Sequence, residues 1–130
     1  MIQYIKHLYE VSLFVLMVPV IWGQDTVTDI DGNVYKVVQL GDKFLMKENL
    51  KVTHYNDGSE ILYLTKDNDW ISTSFGAYSI PDNNDSNADI YGYLYNWYSV
   101  NDNRGICPEG WHVLSNNEYT LLTDYLGGGS

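Results

Sequence analysis

From Val11 to Trp22 the chain is apolar apart from Ser12 and Pro19; Lys6 and His7 precede this run and Gly23 follows it. A stretch of about 12 residues falls short of the roughly 20 that a helix needs to cross the hydrocarbon core, whereas an export signal carries an apolar stretch of about 7 to 15 behind a basic start. Residues 1–23 therefore read as a signal peptide cut before Gln24, although Glu10 and Trp22 are poor residues for one; the rival reading is an uncleaved anchor. No cysteine directly follows the run, which argues against a lipoprotein anchor. Residues 25–130 are left to build the fold, enough for one domain. Export to the cell surface or beyond is the expected location.

Charge narrows the partners. Asp and Glu number 17 against 7 Lys and Arg, for a formal net charge of -10. Binding to nucleic acid or to an anionic membrane would lack its electrostatic source of affinity, so neither is expected beyond the signal segment itself. Cationic partners or calcium would suit such a surface better, as would simple solubility.

Local patterns predict an α+β domain of short antiparallel strands and hairpins with at least one helix. Two strand-like runs flank Asp31-Gly32-Asn33, residues that tolerate the positive φ of a tight hairpin. "KFLMKENL" is a further strand candidate with Phe44 and Met46 on one face, and "YNDGS" a further turn. "SIPDNNDSNADIYG" reads as a mobile loop, because its Asp, Asn and Ser side chains compete for local backbone hydrogen bonds. In "IYGYLYNWYSV", Tyr91, Tyr93, Tyr95 and Trp97 recur at spacing two, while Tyr91, Leu94, Tyr95 and Tyr98 recur at helical spacing, so periodicity leaves strand and helix both open. Ser115 and Glu118 have capping-box spacing, which predicts a helix over 115–126 with Tyr119, Leu122, Tyr125 and Leu126 as its apolar stripe and Gly127 at its end. That stripe needs a sheet to cover, and the preceding strands are few; the core reads as incomplete.

Four stretches, "DIDGNVYKVVQLGDKFLMKENLK", "YNDGS", "YGYLYNWYSV" and "CPEGWHVLSNNEYTLLTDYLGG", together resemble the Fib_succ_major domain, the major paralogous domain of secreted and surface proteins from gut and fibre-degrading bacteria. The resemblance runs from about Asp25 to Gly129. The chain departs from the pattern at Leu45 and Tyr119, where tryptophan is usual, at Lys47, where a small residue is usual, and at Leu114, where proline is usual. The family is also similar to C-type-lectin-like and formylglycine-generating-enzyme-like folds through a Cys-Pro-x-Gly-Trp style of turn before a helix, so a partial fold of that type is expected. Its second half, rich in Gly, Trp and Ser and ending near a "SVRC"-like motif, has no counterpart here, so the chain resembles a truncated copy. The resemblance implies that Cys107 normally pairs with a cysteine near the domain's end; here it is a disulfide half-partner left free.

Few groups carry chemistry. Cys107 and His112 stand five apart across a Pro-Glu-Gly turn, a spacing better explained by a disulfide half and a turn histidine than by a nucleophile and its base. With His54, His112 and one cysteine the supply of zinc ligands is thin. Asp85, Asn87 and Asp89 repeat the opening spacing of a calcium loop, but Ile90 and Asn96 stand where that loop needs glycine and a bidentate glutamate. No cofactor is expected. Aromatic rings and amides in "IYGYLYNWYSVNDN" suit the apolar faces and hydroxyls of sugars, although aromatic residues equally build small cores. Trp97 and Trp111 are assigned to the core, and Trp70 and Tyr93 are the expected ligand contacts. The expected function is a non-catalytic binding or adhesion module, for polysaccharide or another surface protein. The alternatives are a formylglycine-generating-type enzyme and a structural fragment.

Overall fold

A computed structural model describes the backbone of residues 4–6 and the whole of residues 26–128; the apolar run Val11 to Trp22 and the cleavage position at Gly23 lie outside the described residues. The larger sheet has the strand order β2-β3-β4-β1-β8, with β1 Tyr4–Lys6, β2 Thr26–Thr28, β3 Val34–Leu40, β4 Lys43–Met46 and β8 Trp111–Val113. Every neighbouring pair in it is antiparallel. A smaller sheet joins β5 Leu62–Tyr63, β6 Ala77–Ser79 and β7 Leu94–Tyr95, with β5 parallel and β7 antiparallel to β6. Among the described residues four α-helices, α1 Asp67–Ser72, α2 Asp85–Tyr91, α3 Trp97–Val100 and α4 Asn116–Tyr125, and a short 3-10 helix Pro81–Asn83 complete the order. The class is α+β, as expected.

The β2–β3 hairpin closes where the sequence placed it. Gly32 takes φ +84, and the Asp29 carboxylate accepts the amides of Asp31 and Asn33, both at 2.9 Å, satisfying the turn from within. Asp31 then ties the hairpin to the following segment: its carboxylate accepts the Thr53 amide at 2.5 Å and lies 2.6 Å from His54 Nδ1. Burial works against ionisation of Asp31, but the bonds from Thr53 and His54 outweigh it and hold the carboxyl below its ordinary range.

Beyond β4 the chain runs through the centre of the molecule without joining a ladder. Leu50 and Val52 are completely buried, and side chains and distant amides satisfy their stretch of backbone. The Lys51 amide donates to Tyr35 Oη at 3.0 Å, Tyr95 Oη donates to the Val52 carbonyl at 2.8 Å and the Tyr93 amide donates to the Leu50 carbonyl at 2.9 Å. Around this segment Tyr35, Met46, Tyr55, Ile61, Tyr95, Ile106, Cys107 and Trp111 form the core.

Three expectations change. The stretch read as a mobile loop contains α2, whose Asn84 cap accepts the Ser86 amide; the same Asn and Asp side chains that compete with a helix interior favour its first turn. The aromatic segment is neither one strand nor one helix, since β7 covers only Leu94–Tyr95 and Asn96 caps α3. Trp97 is consequently not in the core. Had the strand continued, alternation would place Trp97 on the buried side with Tyr95; the helix begins instead, and Trp97 is 69 % exposed.

The capping box forms at Ser115 and Glu118, and α4 starts there. Its apolar stripe stays largely uncovered, with Tyr119, Tyr125 and Leu126 exposed and Leu122 half-buried beside Leu45 in a groove of about 260 Å³. No helix among the described residues is long and apolar enough to cross a membrane.

Candidate functional site

A concavity of about 630 Å³ opens between the loop before β6, α3 and the turn at Asp102–Gly105. Phe75, Trp97 and Tyr98 line it with 72 %, 69 % and 48 % of their surfaces exposed. A single residue fixes two of its walls. Asn96 Oδ1 accepts the amides of Ser99 and Ala77, both at 3.0 Å, while its Nδ2 donates to the Phe75 carbonyl at 2.8 Å, so the cap of α3 also holds the opposite loop. Glycine at position 76 lets that loop approach closely, because an added Cβ would meet Tyr55 Oη and, at 3.0 Å, the Ser99 backbone.

Polar groups surround the rings. Arg104 grips Asp102 through Nε at 2.8 Å and a terminal nitrogen at 2.7 Å, donates to Ser59 Oγ at 2.9 Å, and holds its guanidinium carbon 3.8 Å from the centre of the Tyr55 ring. Hydrogen bonds from Arg104 bring the Asp102 carboxyl down to about 2, so the pair stays charged at neutral pH. Glu60, Ser74, Asn101 and Asn103 complete the lining. Tyr55 belongs to the lining too, and its buried hydroxyl has no hydrogen-bond partner among the described residues.

The expected contacts do not meet in this cleft. Trp70, half-buried on α1, lines a separate groove with Leu64, Ile80 and Leu94. Tyr93 is half-buried and stacks on Tyr78 at 4.9 Å between ring centres; Tyr78 in turn stacks on Tyr63 at 5.0 Å. Asp85, Asn87 and Asp89 lie on α2, where a step of two residues turns about 200° and a step of four about 400°, so Asp85 and Asp89 share one face and Asn87 lies on the other. Asn87 donates to the Pro81 carbonyl and Asp89 lies 3.4 Å from Lys51, so the three do not converge on one point. Among the described residues no group of three or more His, Cys, Asp or Glu is placed to hold a metal ion.

Cys107 is buried and unbridged, and burial pushes its thiol up to about 12. That is the reverse of an activated nucleophile, which needs a stabilised thiolate. His112 instead lies 2.9 Å from Glu118, at the start of α4. Native protein at pH 8 is expected to resist iodoacetamide for hours and to be alkylated within minutes in denaturant, as followed by intact mass. Rapid native labelling would show that the thiol is open to solvent.

Trp111 is buried as expected, while the cleft residues Phe75, Tyr98 and Arg104 were not foreseen. Adjacent Trp97 and Tyr98 with Asn101 and Asn103 nearby are the sequence signal that points to them.

Residues 38–130 match the family model of the Fibrobacter succinogenes major domain, Fib_succ_major, which is more than half of the chain. The chain belongs to this family. The match begins within β3, so β2 and the hairpin turn lie before it, although the structure builds them into the same sheet as Fib_succ_major residues of β4 and β8. Neither a curated protein nor a solved structure matches the chain.

Proposed function

We propose that this Fib_succ_major chain is a secreted or cell-surface, non-catalytic glycan-binding module, and that the glycan lies in the cleft of Phe75, Trp97 and Tyr98. The observation that carries the reading is that three large aromatic side chains stay exposed around one cleft, two of whose walls are fixed from Asn96. Leaving such area in water opposes folding, and exposed aromatic surface with polar groups around it is the hallmark of a binding site. Pyranose rings present apolar C–H faces that stack on such rings, and their hydroxyls suit the surrounding Glu60, Asn101 and Asn103.

Charge selects among glycans. Arg104 is already committed to Asp102, Glu60 adds a negative group, and the whole chain carries -10. A neutral polysaccharide therefore fits better than a uronate polymer, which the acidic surface repels. Trp70 offers an additional contact on its separate groove, and Tyr93 supports the tyrosine stack that ends at exposed Tyr63. The inert character of the Cys107 thiol weighs against the formylglycine-generating type of enzyme.

Trp97→Ala is expected to weaken binding of a neutral oligosaccharide by at least tenfold, which corresponds to about 1.4 kcal/mol. The unfolding midpoint should barely move, since the ring packs against little. Titration calorimetry with cello-, xylo- and manno-oligosaccharides checks the first and thermal unfolding the second. Undiminished binding by Trp97→Ala and Phe75→Ala, or no binding of any neutral glycan, would remove the cleft from consideration.

A further inference from the structure

We infer that the position between β4 and β8 is a strand-acceptor site, filled by an extended segment of a second polypeptide once residues 1–23 are removed. This rests on the export reading above. In the structure β1 holds that position: Ile5 is in register with Leu45 on one side and His112 on the other, and Lys6 with Phe44 and Trp111. No other described strand lies beside β8. Yet Tyr4–Lys6 falls inside the stretch that reads as a signal peptide. Removing it would leave β8 with no sheet partner and β4 open on one side. Two rows of backbone donors and acceptors would then face each other across a gap one strand wide, about 10 Å from β4 to β8. Such edges recruit extended chains, with the ladder supplying affinity and side-chain positions supplying selectivity.

The register describes the guest. Residues directly opposed in an antiparallel pair share a face, and Trp111 is a core residue with Phe44 packed against the core. An apolar residue suits the position opposite both, where this chain has lysine. Tyr4 is in register with Val113, which also packs against the core, so the preferred guest is apolar at both outer positions of the triplet and runs antiparallel to β4 and β8. In a second processed copy β8 is the one described strand left without a sheet partner, and it is held in place because Trp111 and Val113 pack against that copy's own core.

The test uses the full chain with a site-specific protease sequence placed between Gly23 and Gln24. Hydrogen exchange of β4 and β8 is followed before cutting, after cutting and separation, and after adding a synthetic peptide of residues 1–9, its Lys6→Val form, or a scrambled form. Protection in both strands should fall on cutting and return with the Lys6→Val peptide, which binds at least tenfold more tightly than the unaltered one. Failure of both peptides to restore protection overturns the proposal, as does equal or tighter binding of the unaltered peptide. Self-pairing of the cut chain that restores protection also overturns it, since the guest would then be a second copy. If the cut chain loses structure throughout, Lys6→Val in the uncut chain still decides: the proposal requires a higher Tm and slower exchange of β8, and an unchanged or lower Tm defeats it. Retention of residues 1–23 on the exported protein, read by mass, would refute the export reading without altering the peptide result.

Discussion

Replacing Gly92 by alanine is expected to destabilise the domain by about 2–6 kcal/mol, combining about 1–3 for backbone strain with about 1–3 for overpacking. Gly92 sits at φ 68 and ψ -157, a region open essentially to glycine alone. A Cβ there would stand 2.7 Å from both the Leu50 carbonyl oxygen and Asn49 Cβ, and 2.9 Å from the Asn49 carbonyl oxygen. These neighbours cannot swing aside. The Leu50 carbonyl accepts the Tyr93 amide at 2.9 Å, Asn49 Nδ2 donates to the Tyr91 carbonyl at 2.9 Å, and Leu50 is completely buried. Gly32 provides the control, with φ +84 and nothing within 4 Å of an added Cβ. Its replacement should cost only the left-handed backbone term of about 1–2 kcal/mol. Urea unfolding of both variants separates the two contributions; equal losses would show that the approach of Gly92 to the 49–50 backbone contributes nothing.

Asp29→Ala should cost about 3 kcal/mol, because it strips a buried acceptor from several donors at once. The carboxylate, 7 % exposed, takes the amides of Asp31 and Asn33, the Asn33 side chain at 2.9 Å, and the Tyr35 hydroxyl at 2.5 Å. Tyr35 is 1 % exposed, and burial together with the bond to Asp29 raises its hydroxyl far above the usual tyrosine range, so it keeps its proton and needs somewhere to donate it. Removing the acceptor strands that proton in the core. The double variant Asp29→Ala with Tyr35→Phe removes both partners and should be less destabilised than the sum of the single variants by about 1 kcal/mol or more. Strict additivity in denaturant titrations would show that the two groups are not coupled.

These two positions also mark how far the sequence was legible. The Asp29–Asn33 turn, the "YNDGS" turn with Gly58 at φ +84, and the Ser115–Glu118 capping box could all be read directly. Each depends on groups within four residues of one another. The loop expected over 79–92 fails on the same local grounds: Asn84 competes for backbone amides, but as a cap, and α2 follows. Burial of Leu50 and Val52 left only faint alternation, because their partners, Tyr35, Tyr93 and Tyr95, come from far along the chain.

By itself the sequence determined the α+β class, the family, the positions of the tight turns and the last helix, and the net charge of -10. All of these follow from composition or from interactions a few residues apart. Tertiary structure alone decided which aromatic rings stay in water. Trp97 turned outward because Asn96 ended a strand and capped a helix, while its amide oxygen and nitrogen bound Ala77 and Phe75 across the cleft. Tertiary pairing also decided that β1 separates β4 from β8. Contacts between segments 20 or more residues apart follow from how the chain closes on itself, and no local pattern encodes that closure.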